Sequence, residues 1–448
     1  MTGENSVDRL VDRPVDGLVD GLVDGSVDGS ADRLVGPLAR VRRVVRTRRG
    51  GAATGLVVAL LAGGIGTWAT DTWPFEGRDH YCWGAWQQDS GPGVLGDEAF
   101  SGDDGRSRTS TGSAPTAGTP RGECRLTVSS RDRYSDGDEK RQRTTVTVKY
   151  GPAPGPTADR VRWLGGYLGD RAMPLPDGLP GVADGHHGLL VLPERCDTRD
   201  GRPTAVTLNG QERADADAAL SGVPDLGGSR AVAELLVAAA NKGMESAGCA
   251  GPEPLLVSGP VPTLPERAET FAEGGACRIP GLDIEGGLDK ETALRVQYQV
   301  GAVNKDLQSC SVRVGRSLRL GERSDQQLFD AVMVREPRLT ALLDGVGGEK
   351  PSGKEAGKSS GKPLGKGWRG TGVSGEDFAL VRAGCAGRSA AFLTFGTSVG
   401  SSAAHSGHFA TFSNAVARRL GCAPVAPGAP GASGAPSTAG TAKDGSGQ

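Results

Sequence analysis

The chain is poor in aromatic residues, and its charges leave almost no surplus of either sign. Its 6 Trp, 5 Tyr and 9 Phe make 20 of 448 residues, so a hydrophobic core must be built mostly from Val, Leu and Ala. Lys and Arg number 51 and Asp and Glu 53, which gives a formal net charge of −2. Proteins that mainly bind nucleic acid usually have a strong basic surplus. The composition therefore argues against nucleic acid as a partner.

Common cofactor and metal signatures are also missing from the sequence. It has no P-loop and no G-x-G-x-x-G between a strand and a helix. Its cysteines lack the clustered C-x2-C spacing of a structural zinc site. The pairs His186-His187 and His405/His408 lack a nearby third ligand, so we interpret them as polar loop residues, with metal binding as the alternative. We expect no cofactor and no metal.

Residues 51–70 form an uncharged stretch of 20 positions, GAATGLVVALLAGGIGTWAT. As a helix it would span roughly 30 Å, the thickness of a bilayer's hydrocarbon core. The preceding segment PLARVRRVVRTRRG holds six arginines and no acid, which by the positive-inside rule stays cytoplasmic. We therefore predict a single-pass protein of the cell membrane, with an extracytoplasmic C-terminus. The alternative is a cleaved signal peptide, but the charged region before it is long and no clean A-x-A site follows.

Small residues recur every fourth position of this predicted transmembrane helix, at Gly51, Gly55, Ala59 and Gly63. Such a stripe lets two helix backbones approach closely, which predicts weak self-association through the anchor. Chance in a Gly/Ala-rich segment is the alternative explanation.

Four segments are predicted to be disordered because they are rich in Gly, Pro, Ser or charge and poor in apolar residues. The first is a cytoplasmic tail, residues 1–50, in which a (Val/Ala)-Asp-x-x tetrad repeats from Val7 to Leu34 before the basic stretch. The others are Ser101–Gly122, Gly348–Gly370 and the tail 423–448. Lysines recur every four residues from Lys350 to Lys366, which indicates a solvated loop or a contact with anionic wall polymers.

All eight cysteines follow the predicted anchor, which is typical of disulfides in an exported domain. They are Cys82, Cys124, Cys196, Cys249, Cys277, Cys310, Cys385 and Cys422. The last four repeat the contexts of the first four: CRLTVS matches CSVRVG, GLLVLPERC matches FALVRAGC, and AANKGMESAGC matches SNAVARRLGC. This predicts an internal repeat, with unit 1 at 78–250, a linker at 251–270 and unit 2 at 271–422. Four cysteines allow three pairings per unit, of which we favour first with second and third with fourth.

Each unit is predicted to have an α+β fold: a mainly antiparallel sheet with two helices and two disulfides. Val146, Val148 and Tyr150 alternate with polar residues, as do Val296, Tyr298 and Val300, which indicates half-buried strands. A hairpin is expected around Asp200-Gly201. Helices are predicted before Gly248 and Gly421, which would act as left-handed caps. Shorter helices are predicted near Ala158–Leu168 and Asp325–Leu343.

Two further features are candidate functional sites. Gly396–Gly400 has the G-x-S-x-G pattern of a nucleophile elbow around Ser398, but the acid and histidine that should follow are missing or too close. Trp83 and Trp86 stand in an aromatic-rich segment. They either cover the core beside the first disulfide or form an exposed contact patch near the membrane.

The segments DTWPF, YCWGAW, GDEA, LPERC and AANKGMESAGC carry a resemblance to other proteins. Over about residues 40–425 the chain resembles uncharacterised single-pass membrane-anchored proteins of high-GC Gram-positive (actinobacterial) bacteria with a duplicated four-cysteine extracytoplasmic domain. That resemblance implies a location and no activity. The two-disulfide unit also resembles, in fold only, extracytoplasmic sensor domains of some actinobacterial receptor kinases.

We therefore expect a membrane-anchored, non-enzymatic extracytoplasmic binding or interaction protein that recognises an envelope ligand or protein. A cleft between the two units would be its natural ligand site. The alternatives are a structural or assembly factor of the cell envelope and a serine hydrolase using Ser398.

Overall fold

The structure of the protein is a computed structural model. It describes residues 79–100, 104–133, 139–169, 171–214, 226–262, 275–284, 288, 290–315, 326–346, 362–396 and 403–427. The predicted cytoplasmic tail and transmembrane helix lie outside these ranges. Within them, no helix is both long and apolar enough to cross a bilayer.

Two seven-stranded antiparallel sheets dominate the described residues. We call residues 79–262 the N-terminal half and residues 275–427 the C-terminal half. The N-terminal half begins with a two-stranded hairpin, β1 (His80–Tyr81) and β2 (Trp86–Gln87). Its sheet consists of β3 (Asp104–Ser113), β4 (Gly122–Arg133), β5 (Glu139–Pro152), β6 (Met173–Pro174), β7 (Gly181–Ala183), β8 (His187–Val191) and β9 (Thr204–Ala214). Their order across the sheet is β3-β4-β5-β9-β8-β7-β6.

The sheet of the C-terminal half has the same order, β10-β11-β12-β16-β15-β14-β13. Its strands are β10 (Val296–Gln299), β11 (Leu307–Val314), β12 (Gln326–Val334), β13 (Lys362–Pro363), β14 (Thr371–Ser374), β15 (Phe378–Cys385) and β16 (Arg388–Phe395). The helices are α1 (Thr157–Gly165), α2 (Gly228–Ala247), α3 (Lys290–Ala293), α4 (Pro337–Ala341) and α5 (Ala403–Arg419). The protein is thus α+β, as the sequence predicts.

One long helix covers one face of each sheet. In the N-terminal half, Val232, Leu236 and Ala239 of α2 pack with Val146 and Leu208 of the sheet. In the C-terminal half, three apolar side chains of α5 pack in the same way against the second sheet; they are Phe409, Phe412 and Val416. Full burial of such a side chain contributes roughly 1.5–3 kcal/mol, so these clusters account for much of the stability of each half.

The two halves share a third hydrophobic core, which fills the space between the opposite faces of the sheets. Strand β8 shows the alternation: Leu190 points to the α2 core, whereas Leu189 and Val191 point to the shared core. From the C-terminal half, Phe378 and Leu393 join the same cluster. The predicted ligand cleft between the units is therefore wrong for this region, because apolar side chains from both halves close it.

Two arginines with little exposure cross between the halves in opposite directions, and a more exposed one, Arg162, bonds to Asp377 across the same boundary. Arg160 of α1, 6% exposed, donates to the carbonyl oxygens of Leu342 (3.3 Å) and Asp344 (2.8 Å). Arg338 of α4 donates to the Leu192 carbonyl at 3.0 Å and to the Asp197 carboxylate at 2.6 and 3.0 Å. These reciprocal bonds fix the polar rim of the shared core.

Both long helices end as predicted, at a glycine followed by a cysteine. Gly248 and Gly421 each have φ +73°, in the left-handed region where a Cβ costs about 1–2 kcal/mol. The N–H of Cys249 donates to Met244, and that of Cys422 to Ala417, which are the long bonds of a Schellman cap. Each cap therefore aims its cysteine back toward the sheet.

Several predicted boundaries are wrong. The helix expected at Asp325–Leu343 is strand β12 followed by the short α4. β12 is buried on both faces, with Phe329 and Met333 in one core and Val332 in the other, so its sequence lacks the alternation of a half-buried strand.

Four segments predicted as disorder or linker contain ordered parts. The range Ser101–Gly122 contains the polar edge strand β3, and Gly348–Gly370 ends with β13 and with Trp368 stacked on Phe409 at 5.3 Å. Residues Val425 and Ala426 of the predicted tail are buried. The predicted linker begins with a segment that packs on the N-terminal core through Leu255, Val257 and Val261. Such segments are held by cross-strand or packing contacts that composition does not reveal.

Candidate functional site

All eight cysteines form disulfides, and none is free. The bonds are Cys82–Cys124, Cys196–Cys249, Cys277–Cys310 and Cys385–Cys422, which is the pairing that the sequence favours. In each half, the second bond joins the end of the long helix to a segment at the end of a sheet strand. The cysteines therefore serve the framework of the molecule.

Trp83 and Trp86 lie beside the first disulfide. Trp86 is 1% exposed, and its indole N–H donates to the Leu235 carbonyl at 2.9 Å. Trp83 is half-buried and packs against the same core. The hypothesis of an exposed contact patch is wrong for Trp86, because a buried ring cannot meet a partner; the alternative of core cover describes its position.

His186 and His187 belong to a tight turn around Asp184. One carboxylate oxygen of Asp184 accepts from the backbone N–H groups of both histidines at 2.6 Å, and the other lies 3.3 Å from Nδ1 of His187. Burial raises the pKa of the Asp184 carboxyl, but the hydrogen bonds from His187 and His186 outweigh it, so its pKa is lowered. These contacts give Asp184 and both histidines a structural role in the turn before β8.

His408 lies half-buried on α5, with its ring 6.1 Å from that of Phe329. Burial lowers its pKa, and the Asp283 carboxylate opposes that effect. The side chain of His405 and the whole of Ser398 lie outside the described residues. Among the residues that are described, no three His, Cys, Asp or Glu side chains cluster as metal ligands would.

A polar surface that is exposed or half-buried covers β3, β4 and β5 of the N-terminal sheet on the side away from α2, whereas β7 and β8 meet the shared core on that side. On β4 and β5, Leu126, Val128, Val146 and Val148 point into the α2 core, so the alternate residues point the other way. Cross-strand pairing sets those alternate residues in rows, such as Thr109↔Thr127↔Thr145. We call this surface the open face; its central hydroxyl side chains are those of Thr109, Thr111, Thr127, Ser129, Thr145 and Thr147.

A cavity of about 370 Å³ lies at one end of the open face. Lys149 and Thr207, which pair across β5 and β9, line it together with Glu123, Arg121 and Trp163. The Lys149 ammonium lies 3.6 Å from the Glu123 carboxylate. Helix α1 holds the half-buried Trp163 in an edge-to-face contact with Tyr167, with ring centroids 5.8 Å apart. The cavity is thus lined by an aromatic side chain together with charged and hydroxyl groups.

The opposite end of the open face holds a second, smaller cavity of about 230 Å³. Two arginines, Arg131 and Arg143, line it with Ser107, Ser129 and Gly105. The Ser107 and Ser129 hydroxyls are hydrogen-bonded to each other at 2.9 Å. Lys149 and Arg143 are six residues apart on β5, so the two cavities are separated by about 20 Å of extended strand.

The open face was not predicted, although the sequence carries a signal for it. Segments such as RTSTGS and RTTVTVKY place Ser or Thr at every second position, which sets hydroxyl groups on one side of a strand. Trp163 could not be assigned to the site from sequence, because only the packing of α1 brings it to β5.

The open face carries two polar cavities on its strands, and it is our candidate binding site. Comparisons with protein-family models, with curated proteins and with solved structures found no match to the chain.

Proposed function

We propose that this protein is anchored in the cell membrane by residues 51–70 and displays the two disulfide-bonded halves outside the cytoplasm as a non-enzymatic binding module. The observation that carries this proposal is that all eight cysteines are paired, four bonds in all, downstream of an uncharged stretch of bilayer length. Disulfides persist in oxidising compartments and are rare in the cytosol.

The binding role is supported by the open face. Its cavities hold arginine, lysine, hydroxyl and aromatic side chains on rigid strands, which are groups suited to hold a polar ligand. A surface loop would not give such groups a fixed spacing, whereas three paired strands do.

We also propose that the two halves arose by duplication. They share the strand order, the disulfide positions and the glycine–cysteine helix ends. Even the rare left-handed backbone at the first cysteine recurs, with φ +49° and +65° at Cys82 and Trp83 and +53° and +55° at Cys277 and Arg278.

Location is tested with a C-terminal tag on the full chain in intact spheroplasts. Added protease should remove the tag, and thiol-reactive labelling of native protein should find no free cysteine. A tag protected from protease, or labelled cysteines, would contradict the proposed export.

The binding role is tested separately by in-cell cross-linking from the open face. A photo-reactive amino acid at Thr127 should capture an envelope component, whereas the same probe at the exposed Leu294 in the C-terminal half should not. Equal products from both positions would contradict a specific site.

A further inference from the structure

We infer that the open face binds an anionic glycan, a chain of sugar units that carry carboxylate or phosphate groups. This inference rests on the proposed function and specifies its ligand. It joins four features of the open face: length, hydroxyl lining, aromatic wall and charge.

The first feature is shape. The open face extends over three paired strands, with a cavity at each end and rows of Ser and Thr between them. A small molecule would fill one cavity, whereas an extended polymer contacts both cavities and the rows. The separation of about 20 Å therefore favours an oligomer.

The second feature is the density of hydroxyl and amide groups in the rows. Thr147 pairs with Arg125 on one side and with Asn209 on the other, and the Asn209 amide donates to the Tyr167 hydroxyl at 2.7 Å. Hydroxyls both donate and accept, so they match the hydroxyls of a sugar ring better than a purely cationic surface would. This pattern favours a polyol over a simple inorganic anion.

The third feature is the aromatic wall. Trp163 is half-buried over the Lys149 cavity, and Tyr167 contacts it edge-to-face. Indole rings give a large contact area at low entropic cost, and the apolar C–H face of a sugar ring is a natural partner for such a surface. The wall stands beside the hydroxyl rows, so one ligand can contact both.

The fourth feature is local charge. Among the described side chains, five cations lie on or at the ends of the open face: Arg121, Arg125, Arg131, Arg143 and Lys149. Two carboxylates oppose them, Glu123 beside Lys149 and Asp104 in register with Arg131. This local positive surplus, in a chain of net charge −2, favours a ligand with negative groups.

The test measures binding of labelled oligosaccharides to the full-length protein in detergent. Oligogalacturonate provides carboxylates, a phosphorylated oligomannose provides phosphates, dextran of equal length is neutral, and polyglutamate is anionic without sugar. One or both anionic sugars should bind more tightly than dextran and polyglutamate, and which of them binds identifies the acidic group. Binding should weaken as ionic strength rises from about 0.05 to 0.5 M.

Variants then locate the site. Lys149→Gln and Arg143→Gln, at opposite ends, should each weaken binding about 2- to 5-fold. Trp163→Ala should weaken it about 2- to 10-fold, and Trp163→Tyr should restore most of the loss. Arg313→Gln is the matched control, an exposed arginine on β11, the strand of the other sheet that corresponds to β4. It should leave binding unchanged, and thermal unfolding confirms that each variant is folded.

Three results would overturn the inference: no binding of either anionic sugar, equal binding of polyglutamate, or binding that survives both end variants. Each leaves the proposed function standing if the Thr127 probe still captures an envelope component. Protection of the C-terminal tag would instead contradict export itself, whatever the sugars do.

Discussion

The two halves of the molecule share one strand order, but they differ in what covers the sheet face away from the long helix. In the N-terminal half the surface of β4 away from the long helix is exposed or half-buried, with Thr127 and Ser129 on the open face. On the corresponding strand β11, Ser309 and Ser311 are fully buried, and Asp330 on the next strand is 8% exposed. The helix-facing cores are alike and the opposite faces are not. The β3–β5 part of the first sheet is thus uncovered on this face, whereas its β8 strand is covered by the shared core and Ser309 and Ser311 of the second sheet are buried.

The largest expected effect concerns the disulfide that holds each long helix. Replacing both cysteines of Cys196–Cys249, or both of Cys385–Cys422, with Ala removes a disulfide that closes a loop of 53 or 37 residues, respectively. The chain-entropy estimate gives about 4 kcal/mol for each, with a difference of only a few tenths. Urea unfolding of the two double variants measures both values. A large loss of unfolding free energy in only one of the two double variants would contradict the expectation that the two disulfides stabilise their helices equally.

The second comparison concerns the arginines that cross the shared core. Arg338→Met should cost about 2–3 kcal/mol, below the value for a fully buried pair, because Arg338 and Asp197 are each 17% exposed. Arg160→Met should cost about 1–3 kcal/mol, because four carbonyl oxygens lose this donor, two of them in the other half. Chemical denaturation measures both.

A matched control for these variants is Arg162→Met. Its partner Asp377 lies 2.7 Å away, but the two side chains are 48% and 34% exposed. Solvent screens such a pair, so the change should stay within about 1 kcal/mol. A cost for Arg162→Met equal to that of Arg338→Met would show that burial does not set these energies.

The third comparison concerns an asparagine eight residues before the last cysteine of each half. Asn241 donates to the Leu255 carbonyl and accepts from its N–H, both at 2.9 Å. Asn414 accepts from the N–H groups of Val425 and Ala426, and it donates to the Ala426 carbonyl. Replacement with Ala should cost about 1–3 kcal/mol, more at Asn414 because two N–H groups lose their acceptor.

The conservative change to Asp at the same two positions separates these bonds. An Asp keeps the acceptor oxygen and loses the amide donor, so both variants should lie between wild type and Ala in thermal unfolding. An Asp as damaging as Ala would contradict the role given to the acceptor oxygen.

The smallest expected effect is a pH dependence confined to the C-terminal half. Burial lowers the pKa of His408 in the folded state, so between that value and about 6.5 the unfolded state binds more protons. The folded state therefore loses stability as pH falls through this window. The position that corresponds in α2, fourteen residues before the helix-end cysteine, is Leu235. His408→Leu should flatten the stability profile from pH 7 to 5, and an unchanged profile would contradict this assignment.

Local signals made part of this fold predictable. Gly248 and Gly421 marked the helix ends because only a left-handed residue allows the cap, and the order of the cysteines suggested their pairing. Strand β3 was missed because an exposed edge strand has no apolar side to mark it, and β12 because two buried faces leave no alternation. The open face required knowledge of which strands are neighbours, which no local pattern provides.

The shared core also constrains how the chain must be made. Before β12, β15 and β16 are synthesised, Leu189, Val191 and Val182 of the first sheet lack the apolar side chains that the C-terminal half contributes to the shared core. The ribosome or an export channel releases the chain from its N-terminus. This apolar surface therefore stays exposed to solvent until the second half has emerged. Truncation after residue 262 should therefore yield a product that aggregates. During synthesis of the full chain, completion of the second half competes with aggregation of the first.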